Sequence, residues 1–175
     1  IPTKWTLEGY RAIFDYKSVW TGYRNSFIYL VVGTAMSMIV TVLAAYPLSR
    51  KYLFGCNVFM AICIFTMYFN GGLVPTFLLV RDLGLLDSMW AVLLPVSLSV
   101  FNMIVMRTYF QTQIPTEMLE ASQIDGCGTW RFHLENVLPL SGPIVAVIAL
   151  YYAYAQWNSY FWAMISISSP DNLPL

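Results

Sequence analysis

Four long runs without a charged side chain dominate the pattern of this chain. They cover residues 26–49, 56–80, 88–106 and 144–169. A helix rises about 1.5 Å per residue and the hydrocarbon core of a bilayer is roughly 30 Å thick, so about 20 apolar residues cross it. The pattern therefore predicts an all-α protein, a polytopic transmembrane helical bundle with about four spans.

The second run contains a break with two possible structures. The sequence NGGLVP occupies residues 70–75. Either a single membrane helix is kinked there, or a shorter span ends near Asn70 and a surface helix follows Pro75. Adjacent glycine and proline residues favour the second alternative slightly.

The two ends of the chain differ from the apolar runs. Residues 1–25 mix charges of both signs with Trp and Tyr, which is typical of an extracytoplasmic or interfacial segment at the level of the lipid headgroups. Residues 170–175 read as the start of an extracytoplasmic loop. We expect both ends to be cut from a longer protein, with the transmembrane domain at 26–169.

A polar segment, 107–142, separates the third and fourth runs and predicts two short helices outside the membrane. Pro115 suits the first position of a helix, and Glu117 favours its positive end. Gly126 and Gly128 can adopt a positive φ and would end that helix, after which Thr129 can cap the next one.

The second of these helices has one apolar face. Trp130, Leu134, Val137 and Leu138 recur at helical spacing, and Pro139 and Pro143 end the helix. A short amphipathic helix is marginal by itself. Its apolar face therefore needs a partner, which the residues leave open as the membrane surface, the rest of the chain or a second protein.

The composition excludes several classes of function. The chain is 58% hydrophobic and 10% charged, with nine basic and nine acidic residues, so it carries no basic field for nucleic acid. No Asp, Glu, Lys, Arg or His lies within the four runs, which argues against an ion-coupled carrier and against a membrane-embedded enzyme. We expect His133, the only histidine, to serve packing, and the three cysteines to be apolar fillers without a metal.

Neutral amides are the candidate ligand-binding groups. Tyr and Trp residues surround the last amides of the chain. Such amide and aromatic groups suit an uncharged, hydroxyl-rich ligand such as a sugar, whereas an interfacial aromatic belt with amides paired between helices is the simpler alternative. The substrate-pathway candidates are Asn70, Asn102, Gln156, Trp157 and Asn158.

One motif in the polar segment resembles a known signature. The sequence EASQIDG, then nine residues, then NVLP, resembles the EAA motif of ABC importer permeases. Ser122 replaces the second alanine of that motif, and Asn136 stands where an apolar residue is expected. Either Val137 beside it takes over that packing, or the docking face is slightly altered. The resemblance covers nearly the whole chain and extends to the carbohydrate-uptake branch, particularly oligosaccharide permeases of Gram-positive bacteria.

The resemblance implies a type I permease core in a bacterial cell membrane. It implies that a cytoplasmic ATP-binding subunit holds the EAA helix, that a second permease pairs with this one, and that an extracellular solute-binding protein delivers the substrate. This chain has no Gly-rich phosphate loop, so we expect no cofactor and no ATP hydrolysis of its own. The residues implied in ATPase coupling are Glu120, Ala121, Ser122, Asp125, Gly126, Leu138 and Pro139.

The charges at the span ends suggest an orientation. Arg50 and Lys51 lie in a very short turn, and short basic loops favour the cytoplasm. We therefore predict that this turn and segment 107–142 face the cytoplasm. A permease for a non-sugar solute, and less favourably an ion-coupled carrier or channel, are the alternative functions.

Overall fold

The computed structural model describes residue 14 and residues 16–50, 55–169 and 173–174. All regular structure in this part of the chain is helical. The helices, labelled in chain order, are α1 (Lys17–Ser49), α2 (Cys56–Tyr68), α3 (Leu73–Asp82), α4 (Met89–Leu93), α5 (Val100–Gln113), α6 (Thr116–Ile124), α7 (Thr129–Phe132), a π turn (His133–Val137), α8 (Leu138–Leu140), α9 (Gly142–Trp157) and α10 (Tyr160–Ser166).

Helix α1 confirms the first predicted span. It runs for 33 residues and begins nine residues before the charge-free run, because no proline interrupts residues 17–25. Pro47 is accommodated in its last turn, and the helix ends at Arg50, whose backbone is extended. A helix of this length and apolar composition is able to cross a membrane.

The second run forms two separate helices, which is the second of the two predicted alternatives. Helix α2 ends at Tyr68 and α3 begins at Leu73, with a bend of 112° between them. Gly72 precedes α3 with φ of 85°, a left-handed conformation that glycine adopts without steric cost. The break therefore separates two helices and does not kink one.

The third run is not the single helix expected for residues 88–106. Pro95 lies in a non-helical stretch after the short α4, and α5 begins only at Val100. The Ser99 hydroxyl accepts a hydrogen bond from the Asn102 N–H, which fixes this start. Arg107 does not end the helix, because its Nε atom donates a hydrogen bond to the Leu48 carbonyl at 2.7 Å, and α5 continues to Gln113.

The fourth run is also divided, between α9 and α10. By length and composition, one helix in the described part of the chain can cross a membrane, or up to three if each bent pair forms one span. The bent pairs are α2 with α3 at 112°, and the α7–α8 stretch with α9 at 81°. The described helices thus provide one to three spans where the pattern of charges suggested about four.

The main core lies where α1, α5 and α9 pack together. Buried apolar side chains from all three helices meet there, including Met103, Met106 and Ile148. The Tyr152 hydroxyl of α9 lies 2.6 Å from the Thr41 hydroxyl of α1 and accepts the Ser99 N–H at 3.0 Å. One phenol group thereby joins the three helices.

The contacts assign the loops to the two ends of α1. At its C-terminal end, Arg107 donates to the Leu48 carbonyl at 2.7 Å and Arg50 approaches the Ile114 carbonyl at 3.5 Å. At its N-terminal end, Asn25 donates to the Leu173 carbonyl at 3.2 Å. The basic turn at Arg50 and segment 107–142 therefore lie at the same end, as the sequence predicted.

Candidate functional site

The polar segment 107–142 is anchored to the core by a few buried side chains. Ile114 precedes α6, Leu119 lies within it, and Phe132 lies in α7, and each is at most 3% exposed. All three belong to the main core around α1, α5 and α9. The segment is therefore held rigidly against the helical bundle along one side.

The opposite face of α6 is open to solvent. Glu117, Glu120, Ala121 and Ile124 are exposed and recur at i, i+3, i+4 and i+7 of one helix, so they share a face. Ile124 is 87% exposed, although it is apolar. An acidic and apolar face without a partner in the described chain is typical of a protein-docking surface.

Gly126 ends this helix in the left-handed conformation that the sequence predicted. Its φ is 77°, and a Cβ there would meet no atom within 4 Å. Only the backbone conformation, and not the available space, therefore requires glycine. Asp125 is the exposed residue that precedes it, and the Ser122 hydroxyl donates to the Leu119 carbonyl at 2.8 Å.

The prediction for the second glycine and the following cap was wrong. Gly128 has φ of −69° and ψ of 153°, an extended conformation open to any residue. It is Gly128, not Thr129, that occupies the N-cap position of α7. Similarly, Pro115 lies at the N-cap of α6, one residue before the first helical position. Gly126 therefore provides the left-handed turn by itself. Gly128 continues the chain in an extended conformation into α7.

A π turn changes which side chains of the second helix are buried. His133 and Val137 bound this turn and are 2% and 1% exposed, whereas Trp130 and Leu134 are exposed. The wider turn brings Val137 into the core beside the half-buried Asn136. Val137 thus fills the apolar position that Asn136 leaves vacant.

The exposed residues of this second stretch border an apolar groove. Its volume is about 310 Å³, and side chains of α1 form its other wall. Trp130, Leu134 and Leu138 line it, so the predicted apolar face of the second helix does adjoin the rest of the chain. Pro139 is exposed beside it.

His133 is packed against aromatic rings. Its ring centroid lies 4.2 Å from that of Tyr46, and its Nδ1 atom has no hydrogen-bond partner in the described residues. Burial lowers the pKa of His133, and the positive charge of Arg50 lowers it further. The imidazole therefore serves as a neutral packing group, in agreement with the role predicted for it.

The predicted substrate-pathway residues differ in exposure. Gln156 is 4% exposed and packs against Gly33 of α1, where a Cβ would lie only 2.6 Å from the Gln156 amide. Asn158 is exposed and donates to the Tyr154 carbonyl at 2.8 Å. Trp157 is exposed, and Asn102 is buried near the start of α5. Two of these four side chains are therefore buried in the bundle and two face outward.

Asn70 lies apart from the others and borders a cavity. The cavity has a volume of about 310 Å³ and is lined by Asn70, Thr76, Pro95 and Trp162 among others. The Asn70 side chain accepts the Gly72 N–H at 2.9 Å, which leaves its amide donor group without an assigned role. Of the predicted amides, this one combines a cavity with a neighbouring aromatic side chain.

The sequence did not indicate how the two arginines at the end of α1 are buried. Arg50 is 4% exposed, and its guanidinium lies 5.0 Å from the centre of the Tyr46 ring. Arg107 is half-buried in a cavity that it shares with Arg50. The sequence offered one signal for this burial, a charged residue directly after a long apolar run. A helix end whose charge is in water gives the same pattern, so the burial could not be predicted.

Comparison with known proteins identifies the family. The family model described as "binding-protein-dependent transport system inner membrane component" matches residues 37–174. The polygalacturonan/rhamnogalacturonan transport system permease protein YtcP of Bacillus subtilis (strain 168) is 42% identical over the whole of this chain. Protein LplC of the same organism is 38% identical over 99% of it.

A solved structure supports the fold independently. The chain superimposes with a TM-score of 0.94 and 38% identity on a bacterial ABC transporter involved in the import of the acidic polysaccharide alginate. The match covers all of this chain and 62% of the other. The chain likewise spans 61% of YtcP and 59% of LplC, so it corresponds to somewhat over half of each relative.

Proposed function

Because this chain belongs to the family of inner membrane components of binding-protein-dependent transport systems, we propose that it is a transmembrane permease subunit of an ATP-driven importer. Its relatives are transport permeases and membrane proteins, and the chain itself carries a membrane-spanning helix. The permease forms the path through the membrane, and ATP hydrolysis takes place on a separate subunit.

The exposed face of α6 is the observation that carries this proposal. It presents Glu120, Ala121 and Ile124 away from the core, while Leu119 fixes the helix on the other side. A rigidly anchored helix with an exposed acidic and apolar face can transmit a displacement to the bundle, because close-packed cores move as units. This face is the docking surface for the ATP-binding subunit, and Gly126 sets the angle at which the chain leaves it.

The residues after Gly126 connect α6 to the membrane helices. Ser122 and Asp125 shape the end of α6, while Leu138 and Pro139 join the second stretch to α9. A push on α6 therefore reaches α1 and α9 through the packing of Phe132 and Val137. A second permease and an extracellular solute-binding protein complete the proposed importer.

We assign a sugar or oligosaccharide as the transported solute. YtcP is by name a permease of a polygalacturonan/rhamnogalacturonan transport system, and the solved structure is a transporter involved in the import of the polysaccharide alginate. The cavity at Asn70 and Trp162 offers an amide and an aromatic ring, which are the groups that contact hydroxyls and sugar faces. This cavity replaces Gln156–Asn158 as the best-placed contact, since Gln156 is buried and Asn158 bonds its own helix.

Replacing Gly126 tests the coupling role. A valine must adopt the φ of 77° at a cost of about 1–2 kcal/mol or more, or else reorient the end of α6. In vesicles containing the full-length permease and its partner subunits, we expect Gly126→Val to reduce ATP-dependent uptake of labelled oligosaccharides at least about tenfold. ATP hydrolysis should persist, because the ATPase site lies elsewhere.

Gly128→Val is the matched control. It adds the same side chain two residues away, in equally open space but at a φ that valine prefers. Uptake by this variant should stay within about twofold of the unmodified transporter. Equal uptake by both variants would contradict the coupling role of Gly126, and uptake that needs neither ATP nor an ATPase would contradict the proposed importer.

A further inference from the structure

A polar cavity lies at the end of α1 that carries segment 107–142. Its volume is about 300 Å³, and its lining includes Arg50, Arg107, Asn57 and Gln111. No carboxylate is among its described lining residues. Two arginines therefore line one cavity that has no described carboxylate in its wall.

Arg50 is the unusual member of this group. Only 4% of Arg50 is exposed. Its Nε and Nη2 atoms have no hydrogen-bond partner in the described chain. Its Nη1 atom approaches the Ile114 carbonyl at 3.5 Å, which is a weak contact. A buried arginine without a counter-ion is costly, so an anion in the cavity would stabilise it substantially.

The start of α2 adds a further preference for an anion. Gly55 and Cys56 line the same cavity and form the N-cap and first residue of this 13-residue helix. The first turn carries no acidic residue, and no side chain caps it. Free backbone N–H groups and the positive end of the helix dipole favour a phosphate at such a position.

An apolar groove continues from this cavity along α2. Asn57 lines both, and the groove then follows Val58, Ala61, Ile62 and Phe65. The groove has a volume of about 520 Å³ and extends for about 12 Å along the helix. An anionic head site joined to an apolar groove matches an amphipathic molecule with a charged head and a hydrocarbon tail.

We propose that this cavity and groove bind an anionic phospholipid, with the phosphate on Arg50 and Arg107 and one acyl chain along α2. The position supports this assignment, because Arg50 follows the membrane-crossing helix α1 directly and so lies where lipid phosphates lie. The proposal extends beyond transport of a sugar and does not depend on which solute is carried.

Gln111→Glu tests the site without disturbing the buried arginine. Gln111 is exposed at the cavity, so the substitution places a carboxylate beside the two guanidinium groups with little change in size. The carboxylate competes with the lipid phosphate. Gln113→Glu is the matched control, since it makes the same change at an exposed position of the same helix outside the cavity.

The measurement is lipid binding to the assembled full-length transporter in maltoside detergent, which carries no phosphate. Phosphatidylglycerol is titrated, and the bound lipid per transporter is counted by native mass spectrometry. We expect the dissociation constant to rise about tenfold or more in Gln111→Glu and to stay within about twofold in Gln113→Glu, as one close charge pair predicts. Diacylglycerol with the same acyl chains should bind neither the unmodified protein nor the variants specifically.

Three outcomes would overturn the proposal. Equal phosphatidylglycerol affinity in both variants would show that the cavity does not hold the phosphate. Equal binding of diacylglycerol and phosphatidylglycerol would show that only the apolar groove matters. If phosphatidylglycerol does not bind specifically but inorganic phosphate binds saturably at matched ionic strength, the cavity holds a soluble anion.

Discussion

His133 illustrates how a single residue takes its role from its surroundings. In the sequence it is a lone histidine within a polar segment, with no cluster of metal ligands around it. In the fold it stacks on Tyr46 and faces Phe110 edge-on at 6.4 Å between ring centroids. Arg50 lies on the same Tyr46 ring, so the imidazole and the guanidinium share one aromatic neighbour.

The pH dependence of stability follows from this environment. The pKa of His133 is lowered in the folded protein by burial and then by Arg50, so below a pH of about 6.5 the unfolded chain binds a proton more readily than the folded one. Stability is fully present above that pH. It falls as the pH decreases towards the folded-state pKa, by at most about 1.4 kcal/mol per pH unit, the limit for one proton.

Thermal unfolding of the detergent-solubilised protein checks this prediction. His133→Phe keeps a ring against Tyr46 but cannot titrate, so we expect its melting temperature to change less between pH 7.5 and pH 5.5 than that of the unmodified protein. Carboxylates titrate in both proteins and cancel in the comparison. An identical pH dependence in the two proteins would argue against the assigned role.

At the scale of elements, the three helices of the main core depend on one hydroxyl group. Tyr152 of α9 contacts the Thr41 hydroxyl and accepts the Ser99 N–H, and Thr41 is fully buried. Without water or lipid polar groups inside the core, a buried hydroxyl that loses its partner remains unsatisfied. The phenol therefore fixes the register of α1, α5 and α9.

Removing this hydroxyl should loosen the helix packing. Tyr152→Phe leaves the Thr41 hydroxyl and the Ser99 N–H unpaired, at a cost of about 1–3 kcal/mol of stability. Tyr151→Phe, at the exposed neighbouring position, should change stability by less than about 0.5 kcal/mol. Thermal unfolding in detergent compares the two, and an equal effect would show that the bridge contributes nothing.

At the scale of the whole molecule, the two ends of the bundle have different characters. One end gathers Arg50, Arg107 and the exposed face of α6. At the other end, the Asp87 carboxylate accepts hydrogen bonds from the Ser168 and Ser169 N–H groups, and bonding to Ser169 lowers the pKa of Asp87. The first end thus combines two arginines in one cavity with an exposed acidic and apolar helix face, and its cytoplasmic orientation stays a prediction.

Labelling in intact cells tests this orientation. In the full-length protein with its native cysteines replaced, Gln123→Cys and Asp82→Cys place single thiols at exposed positions of α6 and α3. A membrane-impermeant maleimide should label position 82 in intact cells and position 123 only after the membrane is permeabilised. The opposite pattern would invert the orientation and remove α6 from contact with a cytoplasmic ATPase.

The sequence alone determined the class of fold, the long first span, the turn at Gly126 and the resemblance of segment 107–142 to the EAA motif. These features depend on local composition, because charge-free runs, a left-handed glycine and a motif are all readable without neighbours. The helix ends near Pro95 and Asn158 could not be predicted, because a charge-free segment has the same hydropathy whether it forms one helix or two.

Only the tertiary structure decided which side chains meet. The burial of Arg50, of Gln156 against Gly33, and of Val137 at the end of the π turn arises from packing between helices distant in sequence. Hydrophobic burial is non-directional, so the sequence shows which residues leave water but not which partners they find. That is why the helices of segment 107–142 were predictable from the sequence, whereas the cavity lined by Arg50 and Arg107 required the fold.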